Sequence, residues 1–434
     1  MNDHVTIRMY NVGLGDCFLL TFPAPGRDRK VLIDCGVHSS GPGPRKIDEV
    51  AKRIVDDVRE NGDARIDIVI ATHRHQDHVS GFESNIWDEV EVDEVWLPWT
   101  EDPTDLEARE IRETQSKKAK KIAAALRLMG ASDTLIEMAD NSMTNPAAMA
   151  TLHHGFKGKP KRRFLPVKTR ARHSMHIAAL PGVTIHTMGP SRDRNVIRDM
   201  NPPKGESYLR LAGRAGDPSS AGAPLPERWI VSKSGEDFPA WLDAQLAPPV
   251  KRGPAPGTLH ATDPAFLHRW LSSLGMDSAD FAKIDAVARE DALALVVALD
   301  AAVNGTSLML MFEIGRAFLL FPGDAQWGTW NAAIADPEWN ELLTKTTFYK
   351  VGHHGSHNST PMSFVTTILP EEPRGLTAMV CTRPTTKFKE IPRLPLLKAL
   401  SKKTAGRLAR SDEEKAVAGF RREGDVYTEV EVDI

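Results

Sequence analysis

The sequence predicts a mixed α/β fold, and three observations carry that prediction. Residues 5–10, 17–22 and 30–33 read as strands, most clearly in the alternation of Val5, Ile7 and Met9 with Thr6, Arg8 and Tyr10. Residues 46–61 place Ile47, Val50, Ala51, Ile54 and Val58 at helical spacing, an amphipathic pattern. Two further apolar runs, 66–72 and 92–97, read as strands. The order strand, strand, strand, helix, strand, strand is that of a layered α/β domain.

The later elements follow by the same reasoning. Asn11-Val12-Gly13-Leu14-Gly15-Asp16 lies between the first two strands, and its glycines permit a tight turn. Residues 105–130 are helical in pattern, with Gly130 as a stop signal. Residues 183–188 return to strand and end at Gly189-Pro190. The next stretch, of roughly a hundred residues, has the size of an inserted subdomain. Its Pro-, Gly- and Ser-rich runs at 213–226 and 247–256 read as loops. Residues 292–303 suggest a helix, 307–312 and 317–321 a hairpin around Glu313-Ile314-Gly315-Arg316, and 346–351 another strand.

At 434 residues the chain exceeds the usual size of one core. The expected organisation is one domain over 1–434, with a helical insertion at 100–180 and a loop-rich or helical insertion at 192–290. A hydrophobic content of 41% and a charged content of 26% are those of a globular protein. The net charge of -3 argues against a surface coated in basic residues for non-specific nucleic-acid binding. Cys17, Cys35 and Cys381 lie in apolar runs and read as buried thiols. The first residues lack the features of a signal peptide. Acidic and basic residues interrupt the most apolar later stretch, 291–321, so no membrane span is expected. The expected location is the cytoplasm.

The most informative segment is His73-Arg74-His75-Gln76-Asp77-His78, just after the 66–72 strand. Alternation along an extended run would put His73, His75 and Asp77 on one face, with His78 turning in. Imidazole nitrogen and carboxylate oxygen are ligands that zinc favours. The plain alternative, a polar loop rich in histidine by chance, fits poorly with a chain of only 15 histidines. Two strand ends in the second half offer partners: Gly323-Asp324, and Gly352-His353-His354-Gly355-Ser356-His357. Alone, Asp324 would read as a turn former or helix cap. Together with the histidine pair it supplies what a two-metal site needs.

These motifs resemble those of the metallo-β-lactamase superfamily, and within it the soluble hydrolases related to the metal-dependent domain of the ComEC DNA-uptake protein. The matching stretches are Asn11–Asp16, Leu32-Ile33-Asp34-Cys35-Gly36, Thr72–His78, Asn304-Gly305-Thr306-Ser307-Leu308, Gly323-Asp324 and Lys350–Ser356. The resemblance implies an αββα sandwich with insertions and a metal site at one edge of the sheets. It implies that His73 and His75 hold a first divalent ion, and that Asp77 and His78 hold a second. Asp324 would bridge the two, His354 would complete the second, and Asp34 would orient a ligand imidazole. The ions implied are two Zn2+, with Mn2+ the alternative. A further histidine found in many members has no clear match among His153, His154, His173, His176 and His186, which leaves the first ion fewer protein ligands.

The chemistry implied is attack by a metal-activated hydroxide on phosphorus or carbonyl carbon. Asp77 would take the water's proton, and His353 or His357 would assist at the leaving group or a phosphoryl oxygen. The substrate class that the resemblance suggests is a phosphodiester, including nucleic acid. Esters or thioesters of carbon are the alternative, and a non-catalytic metal-binding regulator is a third reading. The basic residues Lys157, Lys159, Lys161, Arg162, Arg163, Lys168, Arg170 and Arg172 are either a solvated surface or a phosphate-binding flank.

Overall fold

The computed structural model describes residues 3–128, 145–168, 174–199, 202–203, 205–208, 302–370, 375–385, 388 and 391–434. The runs 213–226 and 247–256, most of the insertion expected at 192–290 and of the helix expected at 292–303, and residues Arg170, Arg172 and His173 lie outside the described residues. The chain divides into two compact units. One comprises Met1–Ser116, Asn141–Leu211 and Ala301–Ile434; the other comprises Lys117–Asp140 and Ala212–Asp300.

Both sheets belong to the first unit. Strands β1 (His4–Tyr10), β2 (Cys17–Phe22), β3 (Arg29–Cys35), β4 (Arg59–Glu60), β5 (Asp63–Ile70), β6 (Glu91–Pro98) and β7 (Lys161–Leu165) build the first sheet. The second holds β8 (Ser174–Ile177), β9 (Leu180–Gly189), β10 (Met309–Ile314), β11 (Ala317–Phe321), β12 (Phe348–Lys350), β13 (Thr377–Val380) and β14 (Leu408–Arg410). The C-terminal hairpin of β15 (Phe420–Glu423) and β16 (Tyr427–Asp433) returns to the first sheet beside β1. The helices are α1 (Ile47–Asp57), α2 (Gln76–Val79), α3 (Leu106–Leu128), α4 (Pro146–His154), α5 (Arg194–Arg198), α6 (Trp327–Ala335), α7 (Pro337–Thr344) and α8 (Leu394–Lys403).

Among the described residues the strand order is β15-β16-β1-β2-β3-β5-β6-β7, with β4 on β5, in one sheet and β14-β13-β12-β11-β10-β9-β8 in the other. Each sheet passes from antiparallel to parallel pairing. The change falls at β3–β5 in the first and at β11–β12 in the second. Period-two alternation sorts the side chains. Val5, Ile7, Phe18, Leu20 and Ile33 face Leu310, Phe312, Phe321 and Phe348 in a shared core. Phe18 meets Phe321 edge to face at 5.7 Å, and Phe321 stacks on Phe348 at 5.3 Å. The opposite faces are covered by helices: Leu19, Leu32 and Val69 pack on Val50, Ile54 and Leu152, while Met309, Met311 and Leu320 pack on Trp330, Leu343 and Leu400.

The result is helix, sheet, sheet, helix, the αββα sandwich that the resemblance implies. The span expected to be a helical insertion, 100–180, contains α3 and α4 but also contributes β7 and β8. Parallel strands all point the same way along a sheet, so β3 and β5 end at one edge, as do β11, β12 and β13. The end of β3 carries Asp34, and the segments beyond the carboxyl ends of β5, β11, β12 and β13 carry the 73–78 motif, Asp324, His353, His354 and Cys381. Ligands gather beyond the carboxyl ends of parallel strands in open α/β sheets, and the candidate site has that placement.

Candidate metal centre

β5 hands its last residues to a short connection that ends at α2. Thr72 donates from its backbone N and from Oγ1 to the two oxygens of Asp34, both at 2.7 Å, which ties the end of β5 to the end of β3. His73 and His75 then turn inward. His73 Nε2 and His75 Nδ1 stand 3.1 Å apart. Arg74, between them, points the other way and forms a buried two-pronged pair with Glu101, with contacts of 2.6 to 2.8 Å. Alternation therefore holds over 73–75. It does not extend to Asp77: Gln76–Val79 is helical, so Asp77 and His78 enter from a turn of α2 rather than from an extended run. The chain leaves the sheet edge here, and helical geometry aims two successive side chains into the same space.

That helix sits unusually close to β3. A Cβ on Gly36 would lie 2.5 Å from the carbonyl carbon of Asp77 and from His78 N. Asp16 N donates to Asp77 O at 2.9 Å, and Gly36 N donates to Asp16 O at 3.1 Å. Only glycine at position 36 allows this approach of backbones. His78 is thereby pressed between two carboxylates, with Nδ1 2.8 Å from Asp34 Oδ2 and Nε2 3.1 Å from Asp324 Oδ2.

The second sheet supplies the other side. Asp324 follows Gly323, whose φ of +55° turns the chain sharply after β11. Its Oδ1 accepts from His353 N at 2.9 Å, and its backbone N donates to Ser307 Oγ at 3.3 Å. His353 and His354 have φ of +46° and +54°, and Asp34 has +56°. Non-glycine residues in this region carry strain of about 1–3 kcal/mol each, and such strain clusters at functional sites. His354 Nδ1 donates to Cys381 O at 3.1 Å, which leaves Nε2 3.1 Å from Asp77 Oδ2.

The donor set fits a cation. Ligand atoms of Asp77, His78, Asp324 and His354 all lie within 4.8 Å of one another, and all four residues are buried. Asp77 Oδ1 is buried and accepts no hydrogen bond among the described residues. An unpartnered carboxylate oxygen inside a protein is costly unless a cation meets it. His73 and His75, also buried, border this set, since His73 lies 4.1 Å from His78 between ring centroids.

Electrostatics divide the histidines into two kinds. Burial lowers His73 well below the usual imidazole range and lowers His75 to about 4, so both are neutral at pH 7 and ready to ligate. Burial acts the same way on His78, but Asp324 and Asp34 outweigh it and raise His78 well above that range. His354 is raised too, as Asp77 and Asp16 overcome its burial. The corresponding carboxylates, Asp77 and Asp324, are held low by their histidine neighbours despite burial. The neighbouring carboxylates thus favour the charged forms of His78 and His354, the reverse of what burial does to His73 and His75.

Other expected residues fall elsewhere. His353 borders the cluster, with Nε2 4.0 Å from Asp324 Oδ2 and Nδ1 3.2 Å from Asn358 Oδ1. His357 is exposed, and its carbonyl accepts from Ser207 Oγ at 3.3 Å. His186 bonds to Ser174 and Glu313 beside Trp339, and His153 stacks on Phe164. His176 is exposed on β8. Of the basic run, Arg162 donates to the carbonyls of Leu152, Gly155 and Pro160, and Arg163 pairs with Glu94. Lys157, Lys159, Lys161 and Lys168 remain exposed.

Two participants had no role from sequence. Asp16 and Lys350 form a buried ion pair directly behind the cluster. Both lie in matched motifs, Asn11–Asp16 and Lys350–Ser356, and a lysine ending a short apolar strand was the available signal.

Residues 10–85 match the family model described as the metallo-beta-lactamase superfamily, a stretch that spans β2, β3, β5 and the 73–78 motif. The match supports that superfamily and, with the His/Asp cluster, a metal-dependent hydrolase. A search of curated proteins found no match.

Proposed function

We propose that this chain is a metal-dependent hydrolase of the metallo-beta-lactamase superfamily that cleaves phosphodiesters, with nucleic acid among its substrates, and that it is akin to the ComEC-like hydrolases. The observation that carries the reading is the convergence of Asp77, His78, Asp324 and His354 from both sheets within 4.8 Å, with Asp77 Oδ1 left unpartnered. In this reading His73, His75, Asp77, His78, Asp324 and His354 hold two divalent ions, Zn2+ or Mn2+. Such ions, when bound, bring a water's pKa towards neutrality and stabilise charge on the attacked group.

The chain's own groups do the rest. Asp77 stays ionised, held low by His354 and His78 against its burial, and can accept a proton through Oδ1. His353 is neutral because burial lowers its pKa, and its Nε2 edge faces Asp324, where it can exchange a proton with substrate. Asp34 fixes His78 through Nδ1, so that Nε2 alone is presented. Lys157, Lys159 and Lys161 enter β7 at the end of the sheet away from the cluster, so the phosphodiester reading does not rest on them, and His357 would stand at the rim.

The test is to load the protein with Zn2+ or Mn2+ and offer bis-p-nitrophenyl phosphate, p-nitrophenyl acetate and single-stranded DNA. Turnover of the phosphate diester or DNA in preference to the acetate is expected. Turnover of the acetate alone would make the chain a carbon-ester hydrolase. No turnover by metal-bound protein would leave a binding role.

A further inference from the structure

Four carboxylates crowd the site, Asp16, Asp34, Asp77 and Asp324, each no more than 5% exposed. Behind the front cluster is a second grouping: ligand atoms of Asp16, Asp34 and His78 also lie within 4.8 Å of one another. Judged by residue type alone it would be another candidate cation site. A cation is already there. The ammonium of Lys350, a residue 2% exposed, contacts Asp16 Oδ2, lies 3.3 Å from Gly323 O and 3.6 Å from Asp324 Oδ1.

The connections fan out from this pair to the candidate ligands. Asp16 Oδ2 lies 3.7 Å from His78 Nδ1, and Asp16 Oδ1 lies 3.8 Å from His354 Nδ1. The carboxylate therefore stands behind both imidazoles, on the side away from Asp324 and Asp77. Lys350 and His353 N together engage Asp324 Oδ1, which turns Oδ2 toward His78 Nε2. We infer that Lys350 and Asp16 are positioning residues: a resident ammonium that fills the rear acidic pocket, aims Asp324 Oδ2 forward and, through Asp16, holds the backs of His78 and His354. This rests on the metal-centre reading above. It adds that divalent affinity is set in part by a buried lysine that touches no metal.

The test is a Zn2+ titration against a chromophoric chelator, with folding followed separately by circular dichroism. The variants are Asp16→Asn, Lys350→Met, Lys350→Arg and the charge-neutral pair Asp16→Asn/Lys350→Met. The pair avoids leaving Asp16 buried and unpaired, which could unfold Lys350→Met by itself. Loss of a supporting partner behind a metal ligand typically weakens binding by roughly 10- to 100-fold. That loss is expected for Asp16→Asn and the double variant at unchanged secondary structure, with partial recovery in Lys350→Arg. Folded variants that bind Zn2+ as tightly as wild type would overturn the inference. So would failure of both Lys350→Met and the double variant to fold, because the pair would then serve the fold alone. Failure of the wild type to bind Zn2+ or Mn2+ would instead sink the hydrolase reading, which keeps the two outcomes apart.

Discussion

His75 and His78 are three residues apart, yet the fold drives their acidities in opposite directions. Burial lowers His75 to about 4, while Asp324 and Asp34 raise His78 despite its burial. The unfolded chain binds more protons than the folded one at His73 and His75. Their contribution to stability is therefore present above the ordinary value of 6.5 and is lost as pH falls toward about 4. For His78 and His354 the sign reverses: stability is fully present below 6.5 and is lost as pH rises through their raised values. Two outcomes follow at this scale. The carboxylates beside His78 and His354 favour their protonated forms, so binding of divalent ions at these residues should release protons. Calorimetric heats should then differ between buffers of low and high ionisation enthalpy, and equal heats would refute the assignment. Asp77→Asn and His75→Ala should each lower hydrolysis by about 100-fold or more while shifting the thermal midpoint little, because both lie at the sheet edge. Wild-type turnover by either variant would remove its role.

The elements matter through how closely they approach. α2 is only Gln76–Val79, too short to be stable on its own, and it is held by its neighbours. The tightest restraint is its contact with β3, where Gly36 leaves no room for a Cβ beside Asp77 and His78. Gly36→Ala should displace α2 at a cost of about 1–3 kcal/mol, the usual range for overpacking. Chemical denaturation would measure the loss, and Zn2+ titration should show weakened binding in the same variant. A Gly36→Ala protein with native stability and native affinity would show that the approach is not needed. The basic run shows the same principle from the other side. Arg162 spends its donors on carbonyls at the end of α4, and Arg163 on Glu94, so charge density in sequence overstated the cationic surface available to a substrate.

At the scale of the molecule, the site exists because two sheets pack with their parallel halves ending at the same edge. His78 and Asp324 follow strands of different sheets, β5 and β11, and the distance between them is set by the core that separates those sheets. Phe321 stands at the centre of that core, against Phe18, Phe312 and Phe348, and its strand leads directly to Asp324. Phe321→Ala should cost about 3–5 kcal/mol by the cavity it leaves. Because the cavity lies just below the site, it should also weaken metal binding more than a comparable cavity at the far end, such as Leu180→Ala. Equal affinity in the two variants, read by chelator competition, would argue that core packing and ligand spacing are independent.

Much of this was legible in the residues. The alternation of β1, the helical spacing of α1, the hairpin of β10 and β11 and the 73–78 motif are local patterns, set by side-chain periodicity within a few residues. The same locality identified Asp324, His353 and His354 as strand-end residues and His73, His75, Asp77 and His78 as a group. What the chain alone could not decide was whatever depends on distance through space. The helical entry of Asp77 and His78, the neutral His75 beside a raised His78, and the Lys350–Asp16 pair all follow from burial and from partners far away in sequence. Periodicity is written into neighbouring residues. The energy of a buried charge belongs to the assembled structure, since only packing determines which opposite charge it meets and how much water it loses.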